Sequence, residues 1–226
     1  MNLLAIDTAT EALSVALNYK SAQFHRFDIC PQQHSQKLLP MVDEVLAEAG
    51  VTLAQLDGLV FGRGPGSFTG VRIATGMIQG LALGANLPVV GISTLAAMAQ
   101  QAIEEQHATT VYSAIDARMS EVYFGHFVEE QGLACLQGEE VVCPPEEAAG
   151  HCPQSGFIAV GTGWAAYPSL ASRLAQNAPN VEFPQARYML PLANAEFTAG
   201  RTFSADTVQP VYLRDKVTWK KLPGRE

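Results

Sequence analysis

The chain has 226 residues, a formal net charge of -8 and a sequence pI of about 5.1. Phosphate backbones are gripped by clustered Lys and Arg, so this acidic balance argues against the chain binding nucleic acid on its own. Apolar residues make up 48% of the sequence, enough to bury a core in one large domain or two small ones, and no stretch approaches the roughly 20 uninterrupted apolar residues of a membrane span.

The opening segment, MNLLAIDTATEALSVAL, has no basic start and no small-residue cleavage site, and Asp7 and Glu11 interrupt its apolar run. It therefore reads as a β-hairpin, strands at 3–7 and 13–17 around a polar turn, and not as a signal peptide or membrane anchor. A third strand is predicted around 21–29. Residues 35–49 have helical period, with Leu38, Leu39, Met41, Val42, Val45, Leu46 and Ala49 on one broad face. Pro40 must sit near the start of that helix or kink it, and Gly50 is a good stop. His34, just before the helix, reads as a surface or capping residue.

A buried strand is expected at 57–62, followed by the glycine-rich loop Gly62, Arg63, Gly64, Pro65, Gly66 and Ser67. Ser67 or Thr69 caps a predicted helix at 68–83. Apolar residues (Phe68, Val71, Ile73, Met77, Ile78, Leu81) surround that helix, so it must be covered on more than one side. Gly76, Gly80 and Gly84 recur every four residues and make a shallow groove where another helix can approach closely. A strand at 88–92 and a helix from Ser93 or Thr94 to about Glu105 follow. This alternation implies parallel β–α units.

At Val111 the pattern restarts. VYSAIDARMSEVYFGHFV repeats the strand, Ala-Ile-Asp, polar turn and strand of the N-terminus, which predicts an internal duplication. The boundary falls at 104–110 and divides the chain into residues 1–106 and 107–226. Residues 129–155 read mostly as loop, and 157–161 as a strand entering Gly161-Thr162-Gly163-Trp164. The tail from 210 to 226 is basic, with Arg214, Lys216, Lys220, Lys221 and Arg225. A solvated terminus is the commoner outcome for such a tail, with contact to RNA or a partner through these residues and Trp219 as the alternative.

Two acid-tipped hairpins facing a cleft are what ATPases of actin-like or sugar-kinase-like type use to hold a metal-bound water near phosphates. Asp7, Thr8 and Thr10 suit the first position, Asp116 the second, and Gly161 and Gly163 an adenosine-binding glycine pair. Single acids without positioning groups do not complete a phosphoryl-transfer site. The loop before the second helix reads either as an anion cradle or as a tight turn, and no G-K-[ST] follows it. Neither a G-x-S-x-G elbow nor H-E-x-x-H is present. Cys30, Cys135, Cys143 and Cys152 form no C-x-x-C pair and read as free thiols of a reducing cytosol. A metal site from Cys143, His151 and Cys152 is the alternative, but its spacing matches no zinc template.

The stretches LLAIDTATEALSVAL, HSQKLLPMVDEVLAEAG, FGRGPGSFTGVRIATGMIQGLALG, PVVGISTL, AIDARMSEVYFG, VGTGW and PVYLRDKVTWKKLPG together resemble the bacterial TsaB (YeaZ) family over nearly the whole chain. The resemblance implies a duplicated α/β fold of the actin/Hsp70/sugar-kinase (ribonuclease H-like) type. It also implies a part in forming threonylcarbamoyladenosine beside the anticodon of tRNAs. The chain would be a cytoplasmic, non-catalytic paralogue of the catalytic subunit TsaD, paired with it through the first domain and joined by the ATPase TsaE. Another enzyme supplies the threonylcarbamoyl-adenylate donor, and tRNA is met only through the complex. No cofactor is required, with weak nucleotide binding in a vestigial cleft left open.

Leu38, Met41, Val42, Val45, Val71, Ala74 and Ile78 are the expected partner surface. It would form a homodimer when the partner is missing. In the catalytic paralogue an H-x-x-x-H metal pair follows the strand matching PVVGI, and Thr94 and Met98 stand there in this chain. Ala9 stands where sugar kinases have glycine. The rival reading is an active small-molecule kinase or ATPase of the same fold.

Overall fold

A computed structural model describes residues 1–174 and 180–214. Lys216, Trp219, Lys220, Lys221 and Arg225 of the basic tail lie outside the described residues. The first sheet has the order β3-β2-β1-β4-β5. Strand β1 (Leu3–Asp7) pairs antiparallel with β2 (Ala12–Tyr19), which pairs antiparallel with β3 (Ala22–Ile29). Strands β4 (Gly58–Gly64) and β5 (Val89–Ser93) add in parallel on the other side of β1. All five residues of β1 are buried, because its alternate faces meet different cores. Leu4 and Ile6 pack under helices α1 (His34–Ala49) and α2 (Phe68–Ala85), whereas Leu3 and Ala5 join the core between the two sheets.

The helix ends follow from local chemistry. Gly50 closes α1 in the left-handed region at φ 66°, and Pro40 is accommodated inside the helix on its exposed side. His34 is buried, not on the surface: as the first residue of α1, its Nε2 meets the Ala12 carbonyl at 3.2 Å. Ser67 Oγ accepts from the Gly70 amide and begins α2. Ser93 Oγ accepts from the Leu95 and Ala96 amides and begins α3 (Thr94–Gln106).

The second sheet repeats the first. Strands β6 (Thr110–Asp116), β7 (Val122–Glu130) and β8 (Leu133–Leu136) run antiparallel in sequence, and β10 (Ile158–Val160) adds parallel to β6. The order β10-β6-β7-β8 thus matches β4-β1-β2-β3. This is the duplicated actin/sugar-kinase-like architecture expected from the repeated Ala-Ile-Asp.

Residues 129–155 are more ordered than the sequence predicts. Gln131 and Gly132, at φ 55° and 83°, make a tight hairpin turn into β8. Strand β9 (Val141–Cys143) pairs with β7, and α4 (Pro145–His151) follows. Short helices α5 (Gly163–Ala166) and α6 (Pro168–Ala171) cover the outer face of this sheet with Trp164 and Leu170 buried. Packing does not follow the chain division at residue 106. Helix α3 lies mainly on the second sheet, while α7 (Met189–Thr198) returns to the first, so both stand in the core between the sheets.

Candidate functional site

Asp7 ends β1 with its side chain fully buried. Oδ1 accepts from the Ala9 amide at 3.1 Å, and Oδ2 has no hydrogen-bond partner among the described residues. Burial pushes this carboxyl up to about 7, against the smaller downward pull of the Ala9 amide. The neighbouring strand makes room for it only because it carries glycine there. A Cβ at Gly62 would fall 1.7 Å from Asp7 Oδ2 and 3.3 Å from Met189 Cε.

The glycine-rich loop and the first turn of α2 sit directly on the turn after β1. Thr8 Oγ1 donates to the Gly70 carbonyl at 2.6 Å, and the Ser67 amide donates to the Ala9 carbonyl at 2.7 Å. A Cβ on Gly66 would lie 2.3 Å from the Ala9 carbonyl oxygen, and one on Gly70 would lie 2.1 Å from that of Thr8. Of the two readings of this loop, close packing fits the geometry, because the amides of Ser67 and Gly70 already have partners inside the chain. Gly64 continues β4, Pro65 follows through a cis bond, and Arg63 leaves its buried Nε without a partner among the described residues.

Asp116 ends β6 in the corresponding place, but its oxygens are engaged. Oδ1 accepts from the Arg118 amide at 2.9 Å and the Tyr167 hydroxyl at 2.8 Å, and Oδ2 pairs with Arg118 Nη1 at 2.8 Å. Burial and the adjacent Asp116 push the Tyr167 phenol up to about 12. Arg118 Nη2 also reaches Glu11 of the first hairpin at 3.0 Å, so a side chain of the protein bridges the two acid-tipped turns. Gly161 and Gly163 are seated against β6, where a Cβ would fall 2.3 Å and 3.0 Å from the Ala114 carbonyl oxygen.

The fold places Asp7 and Asp116 at equivalent ends of β1 and β6, with Thr8 and Thr10 in the turn after β1 and Gly161 and Gly163 just after β10. Met98 and Met189, both fully buried, fill the interior beside Gly161 and Gly62. Thr94 is also fully buried, with its hydroxyl unpartnered among the described residues. No group of three His, Cys, Asp or Glu among those residues is placed to hold a metal. A surface cavity of about 710 Å³, bordered by Asn18, Gln23, Glu104, Glu105, Arg187 and Tyr188, uses none of the cleft residues.

The second candidate is the outside of α2, which is not the face that the sequence reading named. Leu38, Val42, Val45, Val71, Ala74 and Ile78 are buried in this chain's own core, packed against β1, β2 and β4. They cannot form a partner surface, and only Met41 of the expected set is half-exposed. The sheet takes the branched and larger residues on one side of α2 and leaves the glycines outward. Gly76, Gly80 and Gly84 are exposed, and a Cβ on any of them would meet nothing within 4 Å. Half-buried Ile73, Met77 and Leu81 flank this strip, and Leu83 is 78% exposed. Leu39, 43% exposed on α1, is a further apolar residue on the outer side of the same layer. The four-residue glycine spacing was the available signal for which side faces out.

A family profile described as TsaD, tRNA N6-adenosine threonylcarbamoyltransferase, matches residues 28–222. The tRNA threonylcarbamoyladenosine biosynthesis protein TsaB of Haemophilus influenzae is 48% identical over 234 residues, covering 100% of this chain and 99% of that protein. TsaB of Escherichia coli is 48% identical over 231 residues, covering 100% of both. Among solved structures, YeaZ from Pseudomonas aeruginosa superposes with a TM-score of 0.85 at 44% identity, over 94% of this chain and 99% of that one. Similarity of this extent, along the full length and in three dimensions, makes the chain a member of the TsaB (YeaZ) family of tRNA threonylcarbamoyladenosine biosynthesis proteins.

Proposed function

We propose that this chain acts in tRNA threonylcarbamoyladenosine biosynthesis as a non-catalytic subunit that docks a TsaD-type catalytic paralogue on the outer face of α2. A TsaE-type ATPase joins that assembly, tRNA is engaged only through it, and the work is done in the cytoplasm. The observation that carries the reading is the exposed glycine strip of α2, flanked by Ile73, Met77 and Leu81. Glycine costs about 1 kcal/mol relative to alanine in a helix interior. Three outward glycines with open space above them gain the free chain nothing, whereas a second helix could approach this backbone closely. In the absence of the paralogue the same face suits a second copy of the chain, related by a twofold axis.

The non-catalytic part is supported by the closed interior. Asp7 is buried, Asp116 is paired with Arg118 and Tyr167, and methionines occupy the space beside Gly62 and Gly161. A kinase or ATPase of this fold needs its carboxylates at an open cleft that admits magnesium and phosphates. The docking test is a pull-down of the paralogue with Leu83→Glu and Gly80→Leu, whose side chains would point out of the fold. Both variants should remain folded by circular dichroism and lose heterodimer and homodimer. Wild-type affinity of both variants for both partners would rule the surface out.

A further inference from the structure

After α7 the chain runs back along α2, with one hydrogen-bonded turn at 204–207. Phe203 exchanges backbone hydrogen bonds of 2.8 and 2.9 Å with Val89 at the edge of the first sheet. Gln79 Nε2 donates to the Val208 carbonyl at 3.0 Å, and the Val211 amide donates to the Arg63 carbonyl at 2.8 Å. Tyr212 accepts from Arg72 Nε at 2.8 Å and packs on Phe68 with ring centroids 5.5 Å apart. Every one of these anchors lies in the first half of the chain. Arg214, two residues on, reaches the second half.

The guanidinium of Arg214 sits inside the turn between β6 and β7. Nη1 donates to the Ala117 carbonyl at 3.0 Å, Nη2 donates to that of Arg118 at 3.4 Å, and Nη2 pairs with the Glu121 carboxylate. Nη1 is also 3.7 Å from Met119 Sδ. The turn itself is strained: Arg118, Met119 and Ser120 are three successive non-glycine residues in the left-handed region, at φ 62°, 56° and 60°. Such a run persists only when its surroundings over-determine it. Its own hydrogen bonds run from the Ala117 amide to the Glu121 carbonyl and from the Glu121 amide to the Arg118 carbonyl; the arginine takes the remaining Ala117 carbonyl and is a second donor to that of Arg118.

We infer that residues 203–214 are a strap anchored on the first half of the chain, and that Arg214 is the clasp that holds the 117–121 turn of the second half in its left-handed form. The clasp is a second joint between the halves, additional to the shared core around α3 and α7. It also positions Arg118, which rises from that turn to meet Glu11. Releasing Arg214 lets the turn relax, and the contact between the two hairpin turns goes with it.

The test is residue-resolved amide exchange on the full chain. Arg214→Ala should speed exchange at Ala117 and Glu121 by about ten-fold or more, while amides in β4 and α3 keep their protection. Arg214→Lys should fall between, because one ammonium cannot span two carbonyls and a carboxylate as a planar fork does. Adding Met119→Gly to Arg214→Ala should restore much of the lost protection, since glycine adopts the left-handed region without penalty. Unchanged exchange at Ala117 and Glu121 in Arg214→Ala would overturn the clasp. So would acceleration spread equally through β4 and α3, or the failure of Met119→Gly to restore protection.

Discussion

Asp7→Asn separates a buried neutral carboxyl from a working carboxylate. In the folded chain the acid titrates at about 7 because burial penalises its charged form, against a model value of 3.8. The folded state therefore holds the proton more tightly than the unfolded state does. The contribution of this group to stability is full below pH 3.8 and is lost as pH rises towards 7. From 3.8 to about 7, at 1.36 kcal/mol per pH unit, the loss comes to roughly 4 kcal/mol. Asparagine keeps the acceptor for the Ala9 amide and cannot ionise. Urea unfolding of both proteins between pH 4.5 and 8.5 should give curves that diverge as pH rises, with the variant gaining on wild type until about pH 7 and holding its gain above. A constant offset across that range would refute the burial of a protonated Asp7, and with it the closed interior.

Gly62→Ala should destabilise the chain by about 3 kcal/mol, since its methyl would overlap Asp7 Oδ2, and Asp7→Ala in the same chain should recover part of that loss in thermal unfolding. Gly80→Ala should raise the stability of the free chain by about 0.5–1 kcal/mol and weaken partner binding, a pairing of gain and loss that calorimetry of the free and mixed proteins would detect. Met189→Ala should cost about 2–5 kcal/mol by leaving a cavity beside Gly62. If the methionine fills a vestigial cleft, that variant should also bind small apolar probes that the wild type excludes.

Much of the scaffold is written locally. The Ala-Ile-Asp hairpins, the serine caps at Ser67 and Ser93 and the left-handed stop at Gly50 depend on neighbours a few residues away, and all are found where the sequence puts them. The duplication was legible because both sheets start from the same strand-turn-strand unit. The outward face of α2 was not legible from hydrophobicity alone. Helix α2 is apolar nearly all round, so Val71, Ala74 and Ile78 could not be told from Ile73, Met77 and Leu81 until the sheet fixed which side it takes. The surroundings of the two acids were equally hidden, because Arg118 and Tyr167 reach Asp116, and Met189 reaches Gly62, only in the folded chain. The course of residues 203–214 rests on contacts such as that of Arg214 with Ala117, far apart in sequence and invisible to periodicity.

The proposed role, a subunit that a catalytic partner needs and that does no chemistry itself, is tested by threonylcarbamoyl transfer to unmodified tRNA in a reconstituted system of the TsaD-type subunit, the TsaE-type ATPase and the donor, with and without this chain. Transfer is expected only when the chain is present, with none from the chain alone and loss of transfer with Gly80→Leu. Transfer by the chain alone, or undiminished transfer without it, would refute a required, non-catalytic subunit.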